Sequence, residues 1–239
     1  MNTWMTKNSQ QVTRVQGGRT NIFMVSLGNR SMLIDAGYPG RHRTLVSRLK
    51  LSGIGKPEGI VLTHAHFDHA GRAASLREIF GCRVYIHRSE AEFLKRGANP
   101  VIRGATALGS IIAFMASIAP EKFLAYPPCH PDISVDDRLD LFDLGPDTYI
   151  LHTPGHTSGS MCVIVGGEIA VVGDSIFGMS RRSIFPPIAE DQHQLLESWG
   201  RLLDTGCRIF LPAHGGAKTD GELRLEYGRR GGTRALAAS

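Results

Sequence analysis

The ten residues from Thr63 to Arg72, THAHFDHAGR, constrain this chain more than any other stretch, because they place three histidines and an aspartate within six residues. They follow the short apolar run GIVL, which has the composition of a buried strand. Side chains at the end of a strand are held by a rigid scaffold, and imidazole and carboxylate groups are usual ligands of zinc, iron and manganese. The stretch therefore predicts part of a metal site.

Three further candidate ligands follow apolar runs later in the chain. His156 lies in a turn after the strand pattern YILHT, Asp174 ends the run AVVGD, and His214 follows IFLPA. Because each stands where a strand pattern stops and a loop begins, the loops can bring these side chains together. A single catalytic zinc needs three protein ligands and one open position, whereas seven candidates match two metal ions that share one carboxylate. We call this set the seven donors: His64, His66, Asp68, His69, His156, Asp174 and His214.

Strand and helix patterns alternate along most of the chain and predict a layered α/β domain. With 239 residues and 42% hydrophobic content, we expect one domain over residues 1–225 and a loose C-terminal tail over residues 226–239. Residues 89–137 interrupt the alternation with helix-like segments and the proline-rich stretch AYPPCHPD. This segment is therefore predicted to be a helical insertion.

Composition argues against several partners. The net charge is +5, but the positive residues are scattered, and no basic stripe is interleaved with aromatic residues, so no nucleic-acid partner is predicted. The four cysteines are far apart in the sequence, as in proteins of a reducing compartment. The N-terminus lacks the apolar core of a signal peptide, and the longest uncharged run, residues 104–120, is marginal for crossing a bilayer. We expect a cytoplasmic protein that acts on a small molecule and has no integral membrane segment.

Taken together, these motifs resemble those of the metallo-β-lactamase-fold hydrolase superfamily. The stretch HAHFDH matches the family pattern H-x-H-x-D-H, and His156, Asp174 and His214 follow in the family's order. The stretch LIDAGYPG resembles the family's early aspartate-glycine loop. The resemblance covers roughly residues 21–216, and it implies a four-layer αββα sandwich with metals at one edge of the paired sheets.

The resemblance also implies how the seven donors divide between two divalent metal ions. The implied division is His64, His66 and His156 at the first metal, Asp68, His69 and His214 at the second, and Asp174 between them. Zinc is the expected element, with iron or manganese as alternatives, because all donors are nitrogen or oxygen. Asp68 and Asp174 are the expected catalytic residues. Asp35 is expected to orient a ligand histidine through its ring N–H.

The implied activity is hydrolysis of a thioester, lactone or ester by a metal-bridging hydroxide. A carboxylate at position 174 resembles the glyoxalase II and lactonase branches, since many β-lactamases of this fold carry cysteine or serine there. Two departures separate the chain from those branches. Only 25 residues follow His214, where glyoxalase II enzymes continue with a helical domain. Phe177 stands where acyl-homoserine lactonases have a tyrosine, and it cannot donate a hydrogen bond.

Three alternative functions stay open: a phosphodiesterase-type hydrolase, a β-lactamase-like hydrolase, and a non-catalytic metal-dependent binding or sensing protein. Arg181 and Arg182 favour the first, because guanidinium groups bind phosphate. The insertion's apolar centre, ALGSIIAFMASIA, predicts either a lid that selects the substrate or a homodimer contact. The expected substrate contacts are Phe114, Met115, Phe177, Arg181 and Arg182.

Overall fold

The computed structural model describes residues 2–40, 43–51, 55–180 and 183–232, and within these ranges the strands form two sheets. The strands of the first sheet are β1 Thr3–Met5, β2 Gln11–Gln16, β3 Ile22–Leu27, β4 Arg30–Ile34, β5 Gly59–Val61, β6 Arg83–His87 and β7 Ile133–Val135. They lie side by side in chain order. Strands β1 to β4 pair antiparallel, and β4 to β7 pair parallel.

The second sheet is built from the second half of the chain. Its strands are β8 Arg138–Asp140, β9 Tyr149–His152, β10 Met161–Val165, β11 Ile169–Gly173, β12 Ile209–Pro212 and β13 Lys218–Thr219. The spatial order is β13, β12, β11, β10, β9, β8. Strands β11 and β12 pair parallel, so their C-terminal ends, which precede Asp174 and His214, lie at the same edge of the sheet.

The helices cover the outer faces of the two sheets. They are α1 Arg43–Leu51, α2 Phe67–Ala70, α3 Ala73–Phe80, α4 Ala91–Arg96, α5 Ala107–Ile118, α6 Gln192–Asp204 and α7 Asp220–Arg229. Local sequence explains several of their ends. The Asp191 side chain accepts the first amides of α6, Thr219 and Glu222 form a capping box at α7, and α3 stops at Gly81, whose φ is +58°.

Buried side chains form three clusters that define four layers. The central cluster lies between the sheets and joins residues such as Val25 of β3 to Val163 of β10. A second cluster packs Leu45 and Leu76 from the helices against the first sheet. A third packs Trp199 of α6 against the second sheet. The order helix, sheet, sheet, helix is the predicted αββα sandwich, and the structure confirms it.

The structure departs from the sequence expectations at several boundaries. Strands β1 and β2 were not predicted. The segment 89–137 is only partly an insertion, since α4 buries Leu94 in the core and the segment ends as β7 of the first sheet. The boundary predicted for the C-terminal tail, residue 226, lies too early in the chain, because α7 continues to Arg229 and Tyr227 is buried. Residues 233–239 lie outside the described residues.

Helix α5 has an unusual orientation. Gly109 is its buried residue, and a Cβ there would lie 1.6 Å from the carbonyl oxygen of Pro187, so only glycine permits this approach. The outward face instead carries large apolar side chains that are 57–63% exposed: Leu108, Ile111, Phe114, Met115 and Ile118. The helix therefore turns small residues toward the protein and large apolar residues outward. None of the described helices is long and apolar enough to cross a membrane.

A stacked histidine pair connects the two sheets. His87 ends β6, His152 ends β9, and their ring centroids are 3.9 Å apart with planes inclined by 12°. Burial, together with the neighbouring His152, lowers the pKa of His87 from 6.5 to about 4. As the pH falls from 6.5 toward 4, the unfolded chain therefore binds a proton at this residue that the folded chain does not bind, and the free energy of unfolding decreases.

We expect the substitution His87→Asn to reduce this acid-side loss of stability. Asparagine does not titrate, and its side-chain oxygen can still accept the Ser89 amide that His87 Nδ1 accepts at 3.2 Å. Urea unfolding at a series of pH values between 7 and 4 measures the effect. His193→Asn, at an exposed histidine, is the control and should leave the wild-type pH dependence unchanged. Equal slopes for wild type and His87→Asn would contradict the prediction.

Candidate metal centre

The seven donors come from loops at the C-terminal ends of strands in both sheets. His64 and His66 lie in the loop after β5, and the short helix α2 that follows carries Asp68 and His69. The other three donors follow strands of the second sheet: His156 after β9, Asp174 directly after β11, and His214 after β12. Five of the seven are buried, and Asp68 and His214 are partly exposed. The structure brings all seven side chains together at this edge.

One group contains three histidines, and we call it the three-histidine group. His64 Nε2 lies 2.9 Å from His66 Nδ1, and His156 Nε2 lies 3.2 Å from the same atom. The three nitrogens are all within 4.8 Å of one another. This geometry lets one metal ion replace the close nitrogen–nitrogen contacts with three coordination bonds.

The second group contains Asp68, His69 and His214, whose donor atoms also lie within 4.8 Å of one another. His214 Nε2 lies 3.3 Å from Asp68 Oδ2, and His69 Nε2 lies 3.6 Å from it. The donor atoms of His64, His69 and Asp174 satisfy the same distance limit, so the two groups adjoin.

Asp174 lies between the two groups. Its Oδ1 is 3.4 Å from His69 Nε2, and its Oδ2 is 3.4 Å from His214 Nε2 and 3.7 Å from His156 Nε2. One carboxylate therefore faces members of both groups. Trp199 supports this position, because its indole N–H donates to the carbonyl oxygen of Ser175, the next residue, at 2.7 Å.

Unpaired buried atoms indicate that the donor set fits metal ions. Among the described residues, four buried side-chain nitrogen or oxygen atoms have no hydrogen-bond partner, and three of them are His66 Nε2, His69 Nε2 and Asp174 Oδ1. Buried polar atoms without partners are costly, and they cluster here rather than being scattered through the core. The all-nitrogen and all-oxygen donor set suits zinc, iron or manganese.

The protein environment sets the protonation of the donors in opposite directions. Burial lowers the pKa of His64 well below its usual value and lowers that of His66 to about 3, which favours the neutral imidazoles that bind metals. At His69 burial acts in the same direction, but the carboxylates of Asp35, Asp68 and Asp174 outweigh it and raise the pKa. Likewise, burial would raise the pKa of Asp174, yet His214 and His69 hold it well below its usual value.

Hydrogen bonds on the outer side of the rings orient the histidines. His69 Nδ1 donates to Asp35 Oδ2 at 2.8 Å, the contact that the sequence analysis expected of Asp35. His156 Nδ1 donates to the Ile188 carbonyl oxygen at 2.9 Å, and His214 Nδ1 donates to the Arg19 carbonyl oxygen at 2.6 Å. Fixing one ring nitrogen in this way directs the other toward the centre.

The residues predicted to contact substrate are separated in the structure. Phe177 packs beside the centre, with its ring centroid 4.9 Å from that of His214. Phe114 and Met115 lie on the exposed face of α5. Arg181 and Arg182 lie outside the described residues, so the structure gives no position for them.

Two residues beside the centre were missed by the sequence analysis. The Thr20 hydroxyl donates to Asp68 Oδ2 at 3.2 Å, and the buried Glu90 accepts the amide of Ala65, between His64 and His66. Neither belongs to a pattern of metal-capable residues, so no local signal marked them. Glu90 in particular reads as an ordinary acidic residue at the start of a helix.

Comparison with known proteins agrees with this geometry. The family model described as "Metallo-beta-lactamase superfamily" matches residues 15–228. The chain belongs to the metallo-beta-lactamase superfamily. Among its relatives is the acyl-coenzyme A thioesterase MBLAC2 of Gallus gallus, 28% identical over 215 residues that cover 83% of this chain and 73% of the relative. Another is the atrochrysone carboxyl ACP thioesterase of Aspergillus fumigatus, 28% identical over 221 residues, which are 87% of this chain and 56% of that protein.

A solved structure extends the similarity to three dimensions. A protein crystallised in a di-iron-bound form matches with a TM-score of 0.62 and 25% identity, over 93% of this chain and 96% of that one. With the converging donors, the family and these relatives identify the chain as a metal-dependent hydrolase.

We expect Asp35→Asn to weaken metal binding about 10–100-fold, because the negative charge behind His69 is lost. Asparagine is the right replacement, since Asp35 has a φ of +64° that asparagine tolerates better than alanine. Chelator competition measures the affinity. Asp147→Asn, at another aspartate with positive φ, is the matched control. Unchanged affinity combined with a lower free energy of unfolding would instead assign Asp35 a purely structural role.

Proposed function

We propose that this superfamily member is a dinuclear hydrolase that cleaves the carbonyl ester-type bond of a small molecule, and that an acyl thioester is its substrate class. The observation that carries the proposal is the convergence of the seven donors in two adjoining groups with the Asp174 carboxylate between them. The thioester is favoured over lactones and other esters because two relatives bear thioesterase names.

The donor residues would have separate roles in the proposed reaction. When bound, a pair of divalent metal ions supplies an activated water and polarises a carbonyl oxygen. The three-histidine group would hold one ion and the second group the other, with Asp174 shared. The pKa of Asp68 is lowered to about 2 despite burial, because of His69 and His214, so this carboxylate stays ionised and can accept a proton. It is partly open to solvent, which suits a group that passes the proton on.

A cavity near the metal loop, lined mostly by small and aliphatic residues but also by Arg96 and Glu121, is the candidate site for an acyl substrate. Its volume is about 540 Å³, within the usual range for small-molecule sites. The inward, small-residue face of α5 lines it with Ala113 and Ala116, and Asn99 forms part of the wall. Asn99 Oδ1 accepts the amide of Phe67, next to His66, at 2.7 Å, so the cavity adjoins the metal loop. We propose that it receives the acyl chain.

A slightly larger cavity of about 630 Å³ is a poorer candidate. Its lining includes Arg30 and Arg83, the first residues of β4 and β6. The seven donors lie at the opposite, C-terminal ends of the strands. A substrate in this cavity would therefore be remote from the metal donors.

Metal analysis of the purified protein should give close to two equivalents per chain. Asp174→Asn should lower both the metal content and the hydrolytic activity, because the amide removes the charge that the two groups share. The matched control is Asp143→Asn, at an exposed aspartate paired with Arg30, which should behave as wild type. Full activity and metal content in Asp174→Asn would refute the shared carboxylate.

Substrate class is tested by assaying the metal-loaded protein against thioesters, lactones, esters, β-lactams and phosphodiesters. We expect thioesters to be cleaved fastest. Ala116→Phe should fill the cavity and lower kcat/KM for long acyl chains relative to short ones by about tenfold or more. Phe114→Ala changes only the outward face of α5 and should leave this ranking unchanged.

Three results would revise these assignments. An unchanged ranking in Ala116→Phe would remove the cavity from substrate binding. A lower mass of Phe114→Ala in sedimentation, with the ranking intact, would instead identify the outward face of α5 as a homodimer contact. Phosphodiester cleavage without thioester cleavage would overturn the proposed substrate class.

A further inference from the structure

Glu90 is a fully buried carboxylate that the chemistry described above does not use. It is the last residue of the 3-10 turn Arg88–Glu90, immediately before α4. Its Oε2 accepts the amide of Ala65, and its Oε1 accepts the Thr157 hydroxyl and, at 3.2 Å, the amide of Gly159. These partners are two backbone amides and a hydroxyl, all neutral groups.

The partners of Glu90 belong to the two loops that form the three-histidine group. Ala65 lies between His64 and His66, and Thr157 directly follows His156. The first loop follows β5 of the first sheet, and the second follows β9 of the second sheet. One oxygen of the carboxylate therefore holds each loop, and the Glu90 side chain bridges the two halves of the sandwich behind the histidines.

Close packing fixes the carboxylate in this position. A Cβ at Gly159 would lie 2.5 Å from Glu90 Cγ, so the second loop approaches the side chain as closely as glycine permits. On the other side, the Tyr126 hydroxyl donates to the Ala65 carbonyl oxygen at 2.8 Å. The Ala65 peptide is thus held at both its N–H and its C=O.

Burial of this carboxylate is costly for the fold. Removal from water raises the pKa of Glu90 to about 7, even though the hydrogen bonds from Thr157 and Ala65 act in the opposite direction. An apolar residue would avoid this cost but would leave the donors of both loops unsatisfied. The cost of burial and the hydrogen bonds to both loops are those of a group that connects the loops, not of one that merely fills the core.

The second group is supported by different contacts. Asp35 orients His69, and the Arg19 carbonyl oxygen orients His214. Neither contact involves Glu90. The two groups therefore have separate supports, and a change at one support can affect one metal position more than the other.

We propose that Glu90 is a positioning residue that holds the His64–His66 loop against the His156 loop and so determines metal affinity at the three-histidine group. The proposal rests on the metal centre and not on the thioester as substrate. Its test therefore needs no substrate, and its failure is distinguishable from failure of the proposed function.

The test uses Glu90→Gln, which keeps the size of the side chain. The amide offers one acceptor atom where the carboxylate offers two, so its NH₂ group faces the donors of one loop. Stepwise titration of the metal-free protein with zinc or cobalt, against a competing chelator, resolves the two positions. We expect the affinity of one position to fall about 10–100-fold and that of the other to stay near wild type. Asp35→Asn should weaken the opposite position, which the cobalt spectrum distinguishes.

Three further variants complete the test. Glu92→Gln alters an exposed carboxylate of α4 that pairs with Lys95, and it should bind both metals as wild type does. If Glu90→Gln does not fold, Thr157→Val removes one donor to the carboxylate, and Thr157→Ser restores the hydroxyl. Valine should weaken the same single position, and serine should recover it.

The proposal is overturned by either of two outcomes. One is wild-type affinity at both positions in folded Glu90→Gln, or in Thr157→Val. The other is an equal loss at both positions in proportion to the loss of stability of the metal-free protein, which would make Glu90 a general stabilising residue.

Discussion

The centre depends on bringing seven nitrogen and oxygen donors, five of them buried, to one edge of two packed sheets. Such groups lose their hydration when the sheets close over them, and three of their atoms have no hydrogen-bond partner among the described residues. Metal coordination would offset this loss, because a bound ion would take up donors that are otherwise unsatisfied. The rest of the scaffold provides the rigidity that keeps these groups in place while the centre is assembled from both sheets.

The supports of the centre have one feature in common. Each contacts a donor residue, or the loop that carries it, through a hydrogen bond that does not occupy the donor atom. Asp35 holds the His69 ring, the indole of Trp199 holds the peptide that follows Asp174, and Glu90 spans the two loops of the three-histidine group. Two of these supports are buried carboxyl groups, whose removal from water costs stability. These groups therefore lower the stability of the fold but set the geometry of the centre before any metal binds.

Helix α5 has two different apolar faces. Its inward face is made of small residues and leaves a cavity, and its outward face is apolar and exposed. Sequence periodicity identified an apolar helix but could not tell which face is turned inward, because both faces are free of charge. For this reason Phe114 and Met115 were expected to contact substrate, whereas Ala113 and Ala116 line the cavity beside the metal loop.

The sequence by itself indicated the family and the layered fold and predicted the seven donors, because metal-capable residues at strand ends form a local pattern that spacing makes visible. It also indicated Asp35, which follows a strand in a recognisable loop. Only the tertiary structure showed the contacts of Glu90, the orientation of α5 and the continuation of α7 to Arg229. Glu90 meets partners 25 and 67 residues away in sequence. The first contact arises when β5 and β6 pair within one sheet, and the second arises when the two sheets pack together. A single sequence carries no local pattern that records either contact.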